Sequence, residues 1–337
     1  MAIDFMTADG LRTVRHWGYR LQGTDQGRKS HKLPIGELKL APHDLIVMDF
    51  SKDGSDKGAF TPVQIEALKK RKKANAVVVS YISIGEASDY RDHWRDNWTT
   101  YSDKDQRAAG YPTDKAPLWL GAWNESWPNS RKVRYWDEDW QAIVFNGDRT
   151  GWLDKIVAAG FDGAYLDIVD GYYHWGVEVA GNADSREGDP QSEREAAARM
   201  IDFVAAMARH AREFNPEFLV IPQNGAFIID ALEDEDHARR DAYLKAISAI
   251  ACEDLFFRGD KAENNPLKPD QEAIDVLMAT FSDSGTPVLS VDYINQPEKI
   301  GEFYQVAISN GFLPYAAPLR ELNVMGAPYD GSADAVA

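Results

Sequence analysis

Eight short apolar runs punctuate this chain, and their alternation with helical patterns constrains the fold more than any other feature. They fall at Val14–Tyr19, Leu45–Asp49, Ala76–Ile82, Ala164–Asp167, Leu219–Gln223, Ala249–Glu253, Pro287–Val291 and Phe312–Ala316. A parallel strand covered on both faces reads as such a near-continuous run. Between most of them, apolar residues recur at spacings of three and four: Thr61–Lys73, Trp140–Ala159, Glu193–Phe214, Ala238–Ile247, Asp270–Ser284 and Pro297–Asn310. Thr61 supplies a cap with Pro62 at the first helical position, and glycines in AGFDG (159–163) and SNGF (309–312) end helices before strands. Eight strands alternating with helices is the count of an α/β chain folded as a (β/α)8 TIM barrel. No Pro/Gly/Ser-rich linker divides the sequence. The expectation is one domain over 10–322, followed by a small, polar, poorly ordered tail over 323–337.

One connection is abnormal. The third and fourth strands lie about eighty residues apart (83–163), far beyond an ordinary βα loop. Trp94, Trp98, Trp119, Trp123, Trp127, Trp136, Trp140 and Trp152 fall in that stretch. Long insertions on the carboxyl face of a barrel shape its site. Most of these rings are expected to pack the insertion's own core, with Trp119 and Trp136 singled out as sugar platforms.

Charge narrows the partner. A net charge of -17 argues against nucleic acid, whose phosphates need a positive footprint. It suits a cationic ligand, or simply solubility. The single cysteine, Cys252, rules out an internal disulfide and leaves the redox compartment open; no Cys or His spacing suggests zinc, and no cofactor is implied. No apolar run approaches ~20 residues, so no membrane span is expected. The opening MAIDFMTADGLRTV lacks the basic and apolar regions of an export signal.

Seven carboxylates stand at or just past strand ends: Asp49, Glu86, Asp167, Asp170, Glu253, Asp254 and Asp292. The carboxyl ends of parallel strands are where such folds keep ligands. Asp167 and Glu253 directly end apolar runs, where a carboxylate is costly unless paired or used. Asp170 and Asp254 read as supporting groups, substrate contacts or loop acids. Glu86 has Arg91 nearby for a structural ion pair, and Asp49 could bond backbone in the SKDG turn. Gln223 and Asn224 place two amides at the fifth strand, and Asp292 with Tyr293 close the ring at the seventh. Paired acids do acid, base or nucleophile work, and glycoside hydrolysis needs two flanking the bond. No lysine ends a strand, no G-x-S-x-G occurs and no glycine-rich loop cradles phosphate, which disfavours Schiff-base, serine-ester and phosphoryl chemistry. Mg²⁺ on Asp167, Asp170 and Asp292 stays open as an alternative, as does a barrel that binds cationic polysaccharide without cleaving it.

WGYRLQG, LIVMDFSKDG, YISIGEASDYRDHW, YLDIVDGYYHW, VIPQNG and CEDLFF, in this order over Trp17 to Leu319, resemble the endo-α-1,4-polygalactosaminidase family, glycoside hydrolase family 114. The resemblance implies a TIM barrel that cleaves α-1,4 bonds in galactosamine-containing exopolysaccharide of biofilm matrices. It implies a catalytic pair at Asp167 and Glu253, with Asp49, Glu86, Gln223, Asn224, Asp254 and Asp292 lining the substrate groove. It also implies a secreted or periplasmic setting, from which the missing export signal departs. The long insertion is the second departure.

Overall fold

The computed structural model describes residues 1–24, 32–71, 75–101, 106–182, 185–233 and 235–331. An antiparallel hairpin of β1 (Ile3–Thr7) and β2 (Gly10–Val14) opens the chain. Parallel strands β3 (Trp17–Arg20), β4 (Leu45–Asp49) and β5 (Val77–Ser83) follow. The insertion contributes β6 (Glu86–Ser88), β7 (Leu120–Trp123) and β8 (Ser130–Val133), an antiparallel sheet of order β6-β8-β7. The parallel succession then resumes with β9 (Gly163–Asp167), β10 (Leu219–Pro222), β11 (Ile250–Glu253), β12 (Val288–Tyr293) and β13 (Leu313–Ala317).

The eight parallel strands form two sheets, β10-β9-β5-β4-β3 and β11-β12-β13. A single parallel bridge, Gln223 to Ala251, joins β10 to β11. Across the other side the Trp17 indole N–H donates to the Leu313 carbonyl at 3.0 Å, tying β3 to β13. Alternation along each strand separates two cores. Trp17, Tyr19, Val47, Val79, Tyr165, Ile221, Ala251, Val291 and Tyr315, drawn from all eight strands, meet in one cluster. Their neighbours Ile46, Met48, Val78 and Leu166 face the helices in the other. This two-layered arrangement of eight parallel strands with helices outside is the TIM-barrel architecture.

The helices largely follow the apolar spacing. Pro62–Lys69 starts where expected, with the Thr61 hydroxyl accepting the Gln64 N–H; it ends short of the expected Lys73, because Lys70 leaves helical geometry (φ -101°, ψ 63°) and bridges to Asn75, and 72–74 lie outside the described residues. The run Trp140–Ala159 is two helices, Glu138–Val144 and Trp152–Ala158. Arg149 turns left-handed between them, and the Asp154 carboxylate takes the N–H groups of Asn146 and Gly151. The run Val14–Tyr19 likewise divides, because Val14 ends the hairpin and Trp17 begins the first parallel strand. Ile3 and Phe5, before residue 10, join the inner cluster. After residue 322, Tyr329 stacks on Tyr304 at 4.5 Å and the Gly326 N–H reaches the Tyr315 hydroxyl at 2.9 Å, so the tail is fastened this far; 332–337 lie outside the described residues.

Candidate active site

A cleft of about 740 Å³ opens at the carboxyl ends of the parallel strands, flanked by the insertion. Asp167, the last residue of β9, and Glu253, the last of β11, both line it, with Gln223 between them just beyond β10. All three are followed by a residue in the left-handed region: Ile168 (φ 60°), Asn224 (φ 66°) and Asp254 (φ 51°). For a β-branched isoleucine that conformation is strained, and strain of this kind persists where the surroundings impose it. The imposing contact is visible. A Cβ on Gly85 would lie 2.4 Å from the Ile168 carbonyl oxygen, so only glycine lets the two backbones approach. The sharp turn brings the Ile168 N–H back onto Asp167 Oδ1 at 2.9 Å.

Asp167 is held by two further donors. The Tyr81 hydroxyl donates to Oδ2 at 2.6 Å, and Gln223 Nε2 donates to Oδ1 at 3.3 Å. Burial, then the charge of Glu253, push the Asp167 carboxyl up to about 7, against the pull of the Tyr81 hydrogen bond. Glu253 accepts from Asn224 Nδ2 on Oε1 at 3.1 Å and from the Tyr293 hydroxyl on Oε2. Asp170 leaves much of its surface to water, yet packing around its carboxyl and the charge of Glu253 push it up to about 6. Of these three acids, two face the cleft, each fixed by donors, while Asp170 does not line it and acts on Asp167 through its charge.

The remaining sequence candidates divide. Asp49 lines the cleft but is buried in a two-pronged pair with Arg91, at 2.5 and 3.1 Å, and also accepts the Ser51 N–H at 2.9 Å. Glu86 lines it too, and its partner is Lys132 at 2.7 Å rather than Arg91. Asp254 does not line the cleft; it holds Arg320, which does, at 2.8 Å. Asp292 is corrected from groove acid to structural acid. Fully buried, it accepts the Phe256 and Phe257 N–H groups and so pins the loop that follows β11. It therefore cannot join Asp167 and Asp170 around a cation, and among the described residues no cluster of three His, Cys, Asp or Glu side chains could hold one.

The two tryptophan platforms are also corrected. Trp119 is 2% exposed, wedged between Trp98 and Trp140 at ring distances of 5.2 and 4.9 Å. Trp136 is half-buried, edge-on to Tyr135 and Trp175 with Arg199 above it. Neither lines the cleft. Apolar flanks at both positions feed the insertion's core, the ordinary use of tryptophan. Tyr81, Tyr90, Trp127 and Arg320 line the cleft and went unread in the sequence. Tyr81 alone carried a signal, as an inward-alternating polar ring in an apolar strand.

Comparison with known proteins agrees with this geometry. The profile of glycoside-hydrolase family GH114 matches residues 16–330, nearly the whole chain. The chain belongs to GH114. Its relatives in this lineage include an uncharacterized protein of Thermotoga maritima, 33% identical over 322 residues (92% of this chain, 84% of the relative). Another, from Methanocaldococcus jannaschii, is 34% identical over 319 residues (91% and 78%). Among solved structures, the glycoside hydrolase domain of PelA from Pseudomonas aeruginosa superposes with a TM-score of 0.57, covering 92% of this chain and 97% of that one. At 16% identity that likeness is one of fold. GH114 membership makes this chain a glycosidase acting on polysaccharide. No helix among the described residues is long and apolar enough to cross a membrane.

Proposed function

We propose that the chain hydrolyses α-1,4 bonds in galactosamine-containing exopolysaccharide, with Asp167 as nucleophile and Glu253 as acid/base. The observation that carries this reading is the joined pair on the cleft floor. Asp167 has three donors on its two oxygens, which fix it for attack and oppose the burial that raises its carboxyl to about 7, whereas Glu253 has two on a longer side chain. Glu253 would pass its proton to the glycosidic oxygen as the C–O bond breaks, while Asp167 Oδ bonds to the anomeric carbon. Glu253, now ionised, would take a proton from water, whose oxygen displaces Asp167 and restores both groups.

Electrostatics support a cationic sugar. The cleft lining carries seven acids, Asp49, Asp53, Glu86, Asp89, Asp167, Glu253 and Glu321, against four cations, Lys32, Lys52, Arg91 and Arg320. Asp167 and Glu253 share the floor, with the charge of Asp170 acting on Asp167 from beside the cleft, on a protein of net charge -17. An ammonium at the sugar's second carbon relieves that crowding, and a free amine cannot assist hydrolysis as an N-acetyl group does, so two protein carboxyls are needed.

The test is a reducing-end assay on partly deacetylated α-1,4-galactosaminan. Wild type should release new ends; Asp167→Asn and Glu253→Gln, with folding intact by circular dichroism, should each lose at least ~10³-fold in kcat. Near-full activity in either variant would remove that residue from the pair. Retention on the polymer without cleavage by wild type would replace the hydrolase with a binding barrel.

A further inference from the structure

Two large aromatic side chains line the cleft while remaining open to solvent, Trp127 at 53% and Tyr90 at 48% exposure. Both belong to one edge of the insertion sheet. β6 pairs with β8 from Glu86 opposite Lys132 to Ser88 opposite Ser130, and the pairing runs on as the Asp89 N–H donates to the Asn129 carbonyl at 2.8 Å. Tyr90 follows Asp89, and Trp127 precedes Asn129 by two residues, so the two rings share the outer end of this ribbon. Its inner end is Glu86, close enough for its charge to raise the Asp167 carboxyl. At about 3.3 Å per residue, the ribbon leads roughly 13 Å outward from Glu86 to Tyr90.

Local structure holds the backbone turn that carries Trp127 and the ring of Tyr90. The turn carrying Trp127 is fixed by Asn124 Oδ1, which accepts the Ser126 and Trp127 N–H groups at 3.1 and 3.3 Å. The same amide donates to Glu86 Oε1 at 2.8 Å, and the Trp123 indole closes the turn on the Pro128 carbonyl. The Tyr90 ring lies against Gly54, where a Cβ would come within 2.7 Å of it, and over the Arg91 guanidinium at 5.0 Å. An exposed aromatic face carried on a fixed turn offers the C–H face of a pyranose a flat apolar surface, with few torsions left to order on binding. The seven other tryptophans of the insertion do not line the cleft.

We propose that Trp127 and Tyr90 form a sugar-binding platform outside the scissile position, which takes a further ring of the polysaccharide and makes long chains the preferred substrate. The platform rests on the hydrolase reading above, and the experiment separates the two. Steady-state kinetics on α-1,4-galactosaminan are compared for wild type, Trp127→Ala, Trp127→Phe and Tyr90→Ala, with Tyr111→Ala as an exposed aromatic away from the cleft. Trp127→Ala should raise KM about tenfold with kcat within about twofold, Tyr90→Ala should raise it in the same sense, and Trp127→Phe should recover most of the loss. Tyr111→Ala should match wild type, and all variants should melt with wild type because these side chains are exposed. Unchanged KM in Trp127→Ala, with wild type active, overturns the platform and leaves the hydrolase. Absence of both cleavage and binding by wild type overturns the two together.

Discussion

Asp167 must be ionised to attack, yet its surroundings hold a proton on it up to about pH 7. The sign follows directly. In the free enzyme kcat/KM should fall as pH drops below about 7, because the nucleophile is then protonated. Tyr81→Phe deletes a hydrogen bond that favours the ionised form, so this acid limb should move to higher pH while kcat falls. A bound ammonium sugar acts the opposite way and should place the kcat limb below the kcat/KM limb. Rate profiles of both parameters decide the matter: an alkaline limb near 7 that Tyr81→Phe shifts would make Asp167 the proton donor. At this scale the sequence was legible where chemistry contradicts environment. A carboxylate closing an apolar run stands out, and Asp167 and Glu253 were readable for that reason. Asp292 closes its run in the same way but turns Oδ1 onto the Phe256 and Phe257 amides, a distinction no local pattern encodes.

Among elements, the loop after β11 depends on that buried acid. Burial pushes the Asp292 carboxyl up to about 8, above an unfolded value near 3.9, so the folded state binds this proton more tightly than the unfolded chain does. Its contribution to stability is therefore complete at low pH and is lost as pH rises from about 4 through about 8. Asp292→Asn keeps an acceptor for both amides and abolishes the titration. The variant should gain in melting temperature relative to wild type between pH 5.5 and pH 8.5; a gap that stays constant across those scans would sink this account. Element reading from the sequence succeeded where periodicity was long, as in Glu193–Arg212, and failed where it was short. β6, β7 and β8, of three or four residues, carry no period and are specified by pairing with one another. The helix break near Arg149 is set by Asp154 reaching back to cap it, a contact rather than a pattern.

For the whole molecule, eight runs and seven acids were enough to indicate a barrel with its site at the carboxyl face. The insertion's role as cleft wall required coordinates, because its tryptophans read alike in sequence and only one, Trp127, lines the cleft. If the substrate is a polycation, attraction to a chain of charge -17 speeds encounter and is screened over about 10 Å at 0.1 M salt. Adding NaCl from 20 to 500 mM, which shortens the screening length from about 21 Å to about 4 Å, should lower kcat/KM on galactosaminan and leave kcat nearly unchanged; indifference to salt would argue against a cationic substrate. The joint between the sheets has a consequence of another kind. Asp167 belongs to the five-stranded sheet and Glu253 to the three-stranded one, and polar stitches rather than a continuous ladder cross the seam between them. The Asn224 N–H donates to the Ala251 carbonyl and the Ser248 N–H to the Val220 carbonyl, each at 2.7 Å, while the Asn224 side chain donates to Glu253 Oε1 and accepts the Glu253 N–H. The spacing of the two acids is therefore riveted at one amide, and Asn224→Ala should let the working temperature of the enzyme fall further than its melting point.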